Sequence, residues 1–440
     1  MIERSEGQMM DFIKKQPPVR IIAVGFALVI LIGSILLSMP FSIRSGVRLS
    51  YVDALYTAVS AVCVTGLSTV DVANTFSTVG QVIIALLIQT GGLGITSIGA
   101  GIIMLAGKKI DLKSRNLIRE SMNLDSGRGV ARFLKSVLLT TLLFESVGAV
   151  LNFFVFIKDF PLPKAIGLSI FHSISAFNNA GFDLLGNFES LARYYDNVYF
   201  NVVTCALIFL GGIGFLVIRE CAAKRFRWKK LSMHARVVLS VSGVLIVAGT
   251  LLFKLTEDIS WLGAFFASVS ARTAGFATLS LDKFSGAGLL VMMALMFIGA
   301  SPGSTGGGIK TGTLFVLLQG IRSSATNKSE KAFHYRIPRE AFKKAAVITL
   351  FALSVVLTSS FLVMIIEPEI PFVDVLFEMT SAMGTAGLST GITPTVSIAT
   401  KIISMLVMYI GRMGAWSIVS LWSFSREERI SFPEGNISVG

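Results

Sequence analysis

The sequence predicts an all-α polytopic membrane protein, built as four parallel span, pore helix, filter loop, span repeats around a pseudo-four-fold pore. Two observations predict it. The first is composition: 53% of the 440 residues are hydrophobic and only 15% are charged, with a mean hydropathy of +0.74. Soluble domains do not reach these values. The second is a recurring glycine. Val64-Thr65-Gly66-Leu67, Asn179-Ala180-Gly181-Phe182, Thr273-Ala274-Gly275-Phe276 and Thr385-Ala386-Gly387-Leu388 each follow an amphipathic run that ends in Ser-Ala. The stretch from Val52 to Thr69 matches that from Val373 to Thr390 without a gap at nine of eighteen positions.

Apolar runs long enough to cross a bilayer fall at 21–40, 76–106, 133–157, 192–219, 235–256, 284–320, 342–367 and 397–424. The first lacks a small-residue cleavage site and reads as a retained span. Between the members of each pair lies a shorter apolar stretch, at 51–62, 165–177, 260–271 and 372–383. Stretches of that length are re-entrant rather than spanning. Each leads into one glycine turn. The chain therefore divides into an N-terminal cytoplasmic segment (1–17), repeat 1 (18–106), repeat 2 with a basic cytoplasmic lead-in (107–220), repeat 3 (221–320), repeat 4 (321–425) and a C-terminal cytoplasmic tail (426–440).

The net charge of +13 does not point to nucleic acid, because its placement is periodic. Lys108 to Lys135, Arg219 to Arg236 and Arg322 to Lys344 fill three alternate loops, while the loops between them carry few cations. This asymmetry puts both termini in the cytoplasm, and the basic loops suit anionic lipid or a cytosolic partner. Three cysteines and three histidines are scattered without metal-ligand spacing, which excludes a zinc site or a disulfide framework. No Ser/His, Asp/Asp or metal constellation occurs in the spans, so an enzyme is not expected.

Glycine reaches positive φ without steric cost and can turn backbone carbonyls toward a common axis. A ring of such carbonyls can replace the hydration shell of a small cation. The candidate ion ligands are the carbonyls of Cys63, Val64, Thr65 and Gly66, of Asn178, Asn179, Ala180 and Gly181, of Arg272, Thr273, Ala274 and Gly275, and of Gly384, Thr385, Ala386 and Gly387. The pore helices aim their partly negative C-terminal ends at the axis, which favours a cation. Only one glycine recurs per strand, so one well-formed site with weaker neighbours is expected.

Repeat three departs from the others. Its second span contains Pro302 and the glycines of Gly303, Ser304, Thr305, Gly306, Gly307, Gly308, Ile309 and Lys310, which cannot sustain a straight helix. The glycines resemble a phosphate-binding loop, but Ile309 stands where Lys is required and no strand precedes it. The segment reads instead as a flexible barrier lining the pore. The motifs Gly91-Gly92-Leu93-Gly94, Gly211-Gly212-Ile213-Gly214 and Gly411-Arg412-Met413-Gly414 read as close helix packing, as walls of the vestibule, or both. Arg272 is expected to anchor a pore helix by pairing with Glu378 or Glu145. Arg412 reads either as a cation in the cavity or as half of a packing ion pair.

The four filter glycines, the broken segment Gly303–Lys310 and Arg412 together resemble the Trk/Ktr/HKT superfamily of potassium transporters, most of all its Ktr-type membrane subunit. The resemblance covers essentially the whole chain. It implies potassium uptake across the cell membrane by the ion-translocating subunit of a two-component system, channel-like and driven by the membrane potential. It also implies a homodimer in the lipid bilayer, promotion by sodium, and gating by a cytosolic RCK-type ring that binds nucleotide. Potassium is then the transported ion, and no resident cofactor is expected in this chain. The rival reading is an ion-coupled (Na+ or H+) secondary cation transporter, which broken helices would suit. Against it, the repeats run parallel and Glu145 is the one evident acid within a long span.

The charge pattern makes a direct prediction of sidedness. Single cysteines at positions 229 and 331, in a background lacking Cys63, Cys205 and Cys221, are expected to react with a membrane-impermeant thiol reagent only after lysis. Cysteines replacing Arg48 and Asp282 are expected to react in intact cells. Labelling at position 229 from outside would reverse the topology.

Overall fold

The computed structural model describes residues 17–105, Ile118 and 129–421. The predicted cytoplasmic C-terminal tail, nearly all of the N-terminal segment and most of the cations of the first basic loop lie outside the described residues. Four long helices fall where the first spans of the four repeats are expected: α1 (Pro18–Ser38), α5 (Val130–Phe156), α9 (Met233–Thr256) and α13 (Arg339–Ile366). All four are long and apolar enough to cross a membrane, with mean hydropathies of 1.8 to 2.8. Four shorter helices are the predicted re-entrant ones: α2 (Tyr51–Cys63), α6 (Leu162–Phe177), α10 (Trp261–Ser270) and α14 (Phe372–Gly384).

The second spans differ from the sequence expectation. Only the third was expected to break, yet all four are interrupted. Repeat one has α3 (Thr78–Leu93) and α4 (Ile95–Leu105), repeat two α7 (Val198–Gly212) and α8 (Phe215–Ala223). Repeat three has α11 (Gly286–Phe297) and α12 (Thr311–Thr326), repeat four α15 (Ile398–Met413) and α16 (Ala415–Leu421). The first two breaks bend the chain by 102° and 100°. Their cause is the last glycine of each motif: Gly94, Gly214 and Gly414 have φ of 81°, 92° and 81°, a region most side chains avoid. Repeat three is distinct in the length of its break rather than in having one.

Sequence sets the helix starts plainly. Ser50, Ser77, Asn197, Ser232, Ser260, Ser285 and Ser397 each accept a hydrogen bond from the backbone N–H three residues on, the usual N-cap arrangement. Among the described residues the only strands are a two-residue hairpin, Lys331–Ala332 with Tyr335–Arg336, in the third basic loop. Its turn residue Phe333 meets Trp228 of the second basic loop edge-on at 6.1 Å.

Packing closes the repeats into a ring. Within each repeat the pore helix lies against the first span. Between repeats, α3 packs on α6, α7 on α10, α11 on α14 and α15 on α2. The last junction also carries polar links. Lys401 of α15 pairs with Asp53 of α2 at 2.8 Å, and Tyr56 Oη meets Ser404 Oγ at 3.0 Å. Small residues set the spacing between spans and pore helices. A Cβ on Gly148 would strike Ser173 Oγ and the Leu207 side chain, and one on Gly249 would strike Ser268 Oγ and, at 2.9 Å, Leu295.

Gly249→Val should therefore overpack the third repeat and cost about 1–3 kcal/mol. A lower midpoint in thermal unfolding of the purified protein would show it. Gly243→Val on the same helix, where a Cβ meets nothing within 4 Å, should leave the midpoint near that of the native chain.

Candidate functional site

The pore helices all end the same way. Val64, Asn179, Thr273 and Thr385, each two residues before its glycine, have φ of 56°, 58°, 70° and 48°. Non-glycine residues pay about 1–2 kcal/mol each for this conformation. It persists because the next N–H is bonded back to the helix end. Thr65, Ala180 and Ala386 donate to the carbonyls of Ser60, Ser175 and Ser381, each at 2.8 Å, and Ala274 donates to that of Ser270 at 2.9 Å. These are left-handed caps of the helix C-terminus. In repeat three the bond spans four residues instead of five, because its Ser-Ala lies one residue nearer the glycine.

The glycines follow, with φ of 98° at Gly66, 70° at Gly181, 79° at Gly275 and 82° at Gly387. A Cβ on Gly66 would lie 2.6 Å from the Ala180 carbonyl oxygen. One on Gly181 would lie 2.8 Å from that of Ala274, and one on Gly275 2.8 Å from that of Ala386. A Cβ on Gly387 would strike the Thr65 carbonyl oxygen, which closes the circuit. Each strand thus lays the carbonyl before its glycine against the glycine of the preceding repeat. Of the sixteen residues singled out in the sequence, the four glycines and Thr65, Ala180, Ala274 and Ala386 before them meet in this ring.

On one side of the ring a cavity of about 290 Å³ is lined by all four glycines together with Asp71 and Asp183. Sequence reasoning passed over both acids, although Asp183 stands two residues after Gly181. Asp71 accepts from Asn74 Nδ2 at 2.9 Å and from the backbone N–H of Asn187. Negative groups at such a mouth raise the local concentration of cations.

On the other side lies the long break of repeat three. It is fastened rather than free. Ser301 N–H donates to the Gly212 carbonyl at 2.9 Å, Thr305 N–H to that of Gly211 at 3.3 Å, and Phe215 N–H to that of Gly303 at 3.0 Å. Thr305 Oγ1 donates to the carbonyl of Phe177, at the end of the second pore helix, at 3.2 Å. Lys310 Nζ folds back onto the Gly306 carbonyl at 2.6 Å. A Cβ on Gly306 would strike Thr273 Oγ1 and one on Gly307 would strike Thr385 Oγ1. The loop therefore presses on the base of two filter strands.

Arg412 binds this loop to a third repeat. Its guanidinium donates to the carbonyls of Thr305, Gly91 and Gly92. None of these three partners is a carboxylate, so of the two readings of Arg412 the packing ion pair is not the one that the described residues form. The acceptors exist because α3 ends at Gly94, which leaves carbonyls of its last turn open, and a cation is favoured at a helix C-terminus. The first glycine of each motif has a separate task. A Cβ on Gly91, Gly211 or Gly411 would strike the carbonyl of Val62, Phe177 or Met383, each four residues before a filter glycine.

Arg272 also departs from expectation. It is 8% exposed and donates to Ser242 Oγ at 3.3 Å, not to an acid. Glu145 and Glu378 serve other strands. Glu145 accepts from Asn178 Nδ2 at 2.8 Å, and Glu378 accepts from Ser389 Oγ and, at 2.8 Å, from Thr393 Oγ1.

With this geometry in hand, comparison with known proteins is informative. A family model described as TrkH, cation transport protein, matches residues 17–253 and 240–429. The potassium/sodium uptake protein NtpJ of Enterococcus hirae is 38% identical, over 97% of this chain and 98% of its own. The Ktr system potassium uptake protein B of Bacillus subtilis is 34% identical, over 98% of this chain and 99% of its own. The crystal structure of the potassium transporter TrkH from Vibrio parahaemolyticus superposes with a TM-score of 0.73 at 18% identity, covering 93% of this chain and 86% of the other. At that identity the match speaks for the fold alone.

Proposed function

Since this chain belongs to the TrkH family of cation transport proteins, we propose that it is the ion-translocating subunit of a potassium uptake system. One observation carries the proposal: the closed ring in which each of four glycines faces the carbonyl of the next repeat. Such a ring offers a dehydrating potassium ion preset oxygen ligands, with pore helix C-termini behind them. Gly66, Gly181, Gly275 and Gly387 are the filter glycines, and the residues before them supply the oxygens. The segment Gly303–Gly308 with Lys310 and Arg412 is the gate. It puts two cations and a bonded loop below the filter, where weak screening enlarges the electrostatic barrier.

The driving force in this reading is the membrane potential. The protein acts in the cell membrane as a homodimer with both termini cytoplasmic. A cytosolic ring that binds nucleotide would open the gate, and relatives named as parts of a Ktr system support a partner of that kind. Sodium is read as a promoter, which the potassium/sodium name of one relative supports. Uptake into cells lacking other potassium systems, measured with and without sodium, tests the reading. Potassium uptake that needs sodium in fixed stoichiometry would favour the ion-coupled alternative.

Two substitutions probe the ring and the gate. Gly387→Ser places a side chain against the Thr65 carbonyl. Displacing one ligand group costs about 1–3 kcal/mol, or roughly a five- to 150-fold rise in the potassium concentration for half-maximal uptake. Deleting Ser304–Gly307 should raise potassium flux in reconstituted vesicles lacking any partner, with Arg412→Ala acting in the same direction but less strongly. Unchanged flux in a folded deletion variant would reduce the loop to a structural break.

A further inference from the structure

Behind the second filter strand stands a polar cluster that the conduction path does not use. Glu145 of α5 accepts from Asn178 Nδ2 at 2.8 Å and from Gln89 Nε2 at 3.3 Å. Gln89 Oε1 accepts from the same Asn178 amide at 2.8 Å, as does the Ile174 carbonyl at 2.9 Å. Gln89 belongs to α3 of repeat one, while Glu145 and Asn178 belong to repeat two. The cluster therefore joins neighbouring repeats directly behind the ring.

Its acid is peculiar to one repeat. The contacts of Gly148 and Gly249 align α5 with α9, because each glycine faces a pore-helix serine and a leucine of the second span. Three residues before these glycines stand Glu145 and Ile246. Their carbonyls do the same thing, accepting from Ser173 Oγ at 2.7 Å and from Ser268 Oγ at 2.9 Å. In repeat one Gly33 faces Leu87 in like manner, and Ile30 stands three residues before it. Packing at this point is thus met by isoleucine in two sister repeats. A carboxyl group at membrane depth is costly, so its presence in repeat two calls for a polar task.

That task is visible in Asn178. The residue is fully buried and lies three positions before Gly181. It has φ −80° and ψ −1°, and the next residue turns to φ 58°. Its amide nitrogen, with two hydrogens to donate, has three acceptors within 2.9 Å. Its Oδ1 is pressed against Gly92, where a Cβ would collide with it. The side chain has no room to turn, so the peptide it carries is fixed as well. A filter strand free to relax could close on the smaller sodium ion, whereas a fixed one keeps its oxygens at the spacing of the larger ion.

We propose that Glu145, acting with Gln89, is a positioning residue for ion selectivity that holds Asn178 and so the backbone of the second filter strand. The proposal rests on the filter reading given above. It is tested in vesicles containing the purified full chain, with potassium and sodium uptake measured for each variant. Glu145→Ile installs the residue that the sister repeats carry, and Gln89→Met removes the other partner. Both should lower the potassium-to-sodium ratio by about tenfold, the scale of one buried hydrogen-bond partner lost. Glu145→Gln keeps an acceptor for Asn178 and should stay closer to the native ratio. A native ratio in Glu145→Ile and Gln89→Met, or equal slowing of both ions, overturns the proposal. Gly181→Ser separates the two levels: a lowered ratio there with native ratios in the other variants leaves the filter reading standing and removes the clamp. If Gly181→Ser also keeps the native ratio, the filter reading falls and the clamp with it. Should Glu145→Ile not yield folded protein, Gln89→Met decides alone.

Discussion

The structure depends on one steric constraint. At four points around a ring, a glycine Cα lies so close to the next strand's carbonyl that no Cβ fits between them. Backbone without helical hydrogen bonds is tolerated at membrane depth only where it is buried in protein or lines water. The four strands meet that condition only together. Each needs its neighbour's backbone beside it, and each needs a pore helix whose last turn supplies the carbonyl that fixes its start. The glycines at 91, 211 and 411 extend the same constraint outward, since they let the second spans press on the ends of the pore helices.

Charge placement follows from where helices stop. Arg412 is paired with carbonyls, not with an acid. The break after Leu93 supplies two of those carbonyls, and the long break of repeat three supplies the other. A guanidinium held by backbone dipoles keeps its full charge, whereas a carboxylate partner would cancel it. The acids sit instead behind the second and fourth strands, where hydroxyl and amide groups hold them. Cations below the ring and acids at its mouth and back give the two sides opposite character.

Much of this was legible in the sequence. The four long helices and four short ones fall within a few residues of the apolar runs that announced them, because burial in hydrocarbon leaves no other use for such runs. The four ring glycines were legible because a lone glycine at one point of four similar stretches has few explanations. The breaks at Gly94, Gly214 and Gly414 were not. Each sits inside an apolar run that helix propensity alone would carry across the membrane, and nothing local distinguishes a packing glycine from one with positive φ. The positive φ of Val64 and Thr385 was equally hidden, since β-branched residues do not advertise it.

The sequence by itself determined the four long apolar helices, the four short ones and the glycine turns that follow them, because hydropathy and glycine act locally. The tertiary structure decided which groups meet. It gave Arg412 three carbonyls, Arg272 a serine, and Glu145 an asparagine and a glutamine from two repeats. Those pairings depend on how the repeats close around the axis. Ring closure brings together residues as far apart as Gly91 and Arg412, and no local pattern records a contact made between the last repeat and the first.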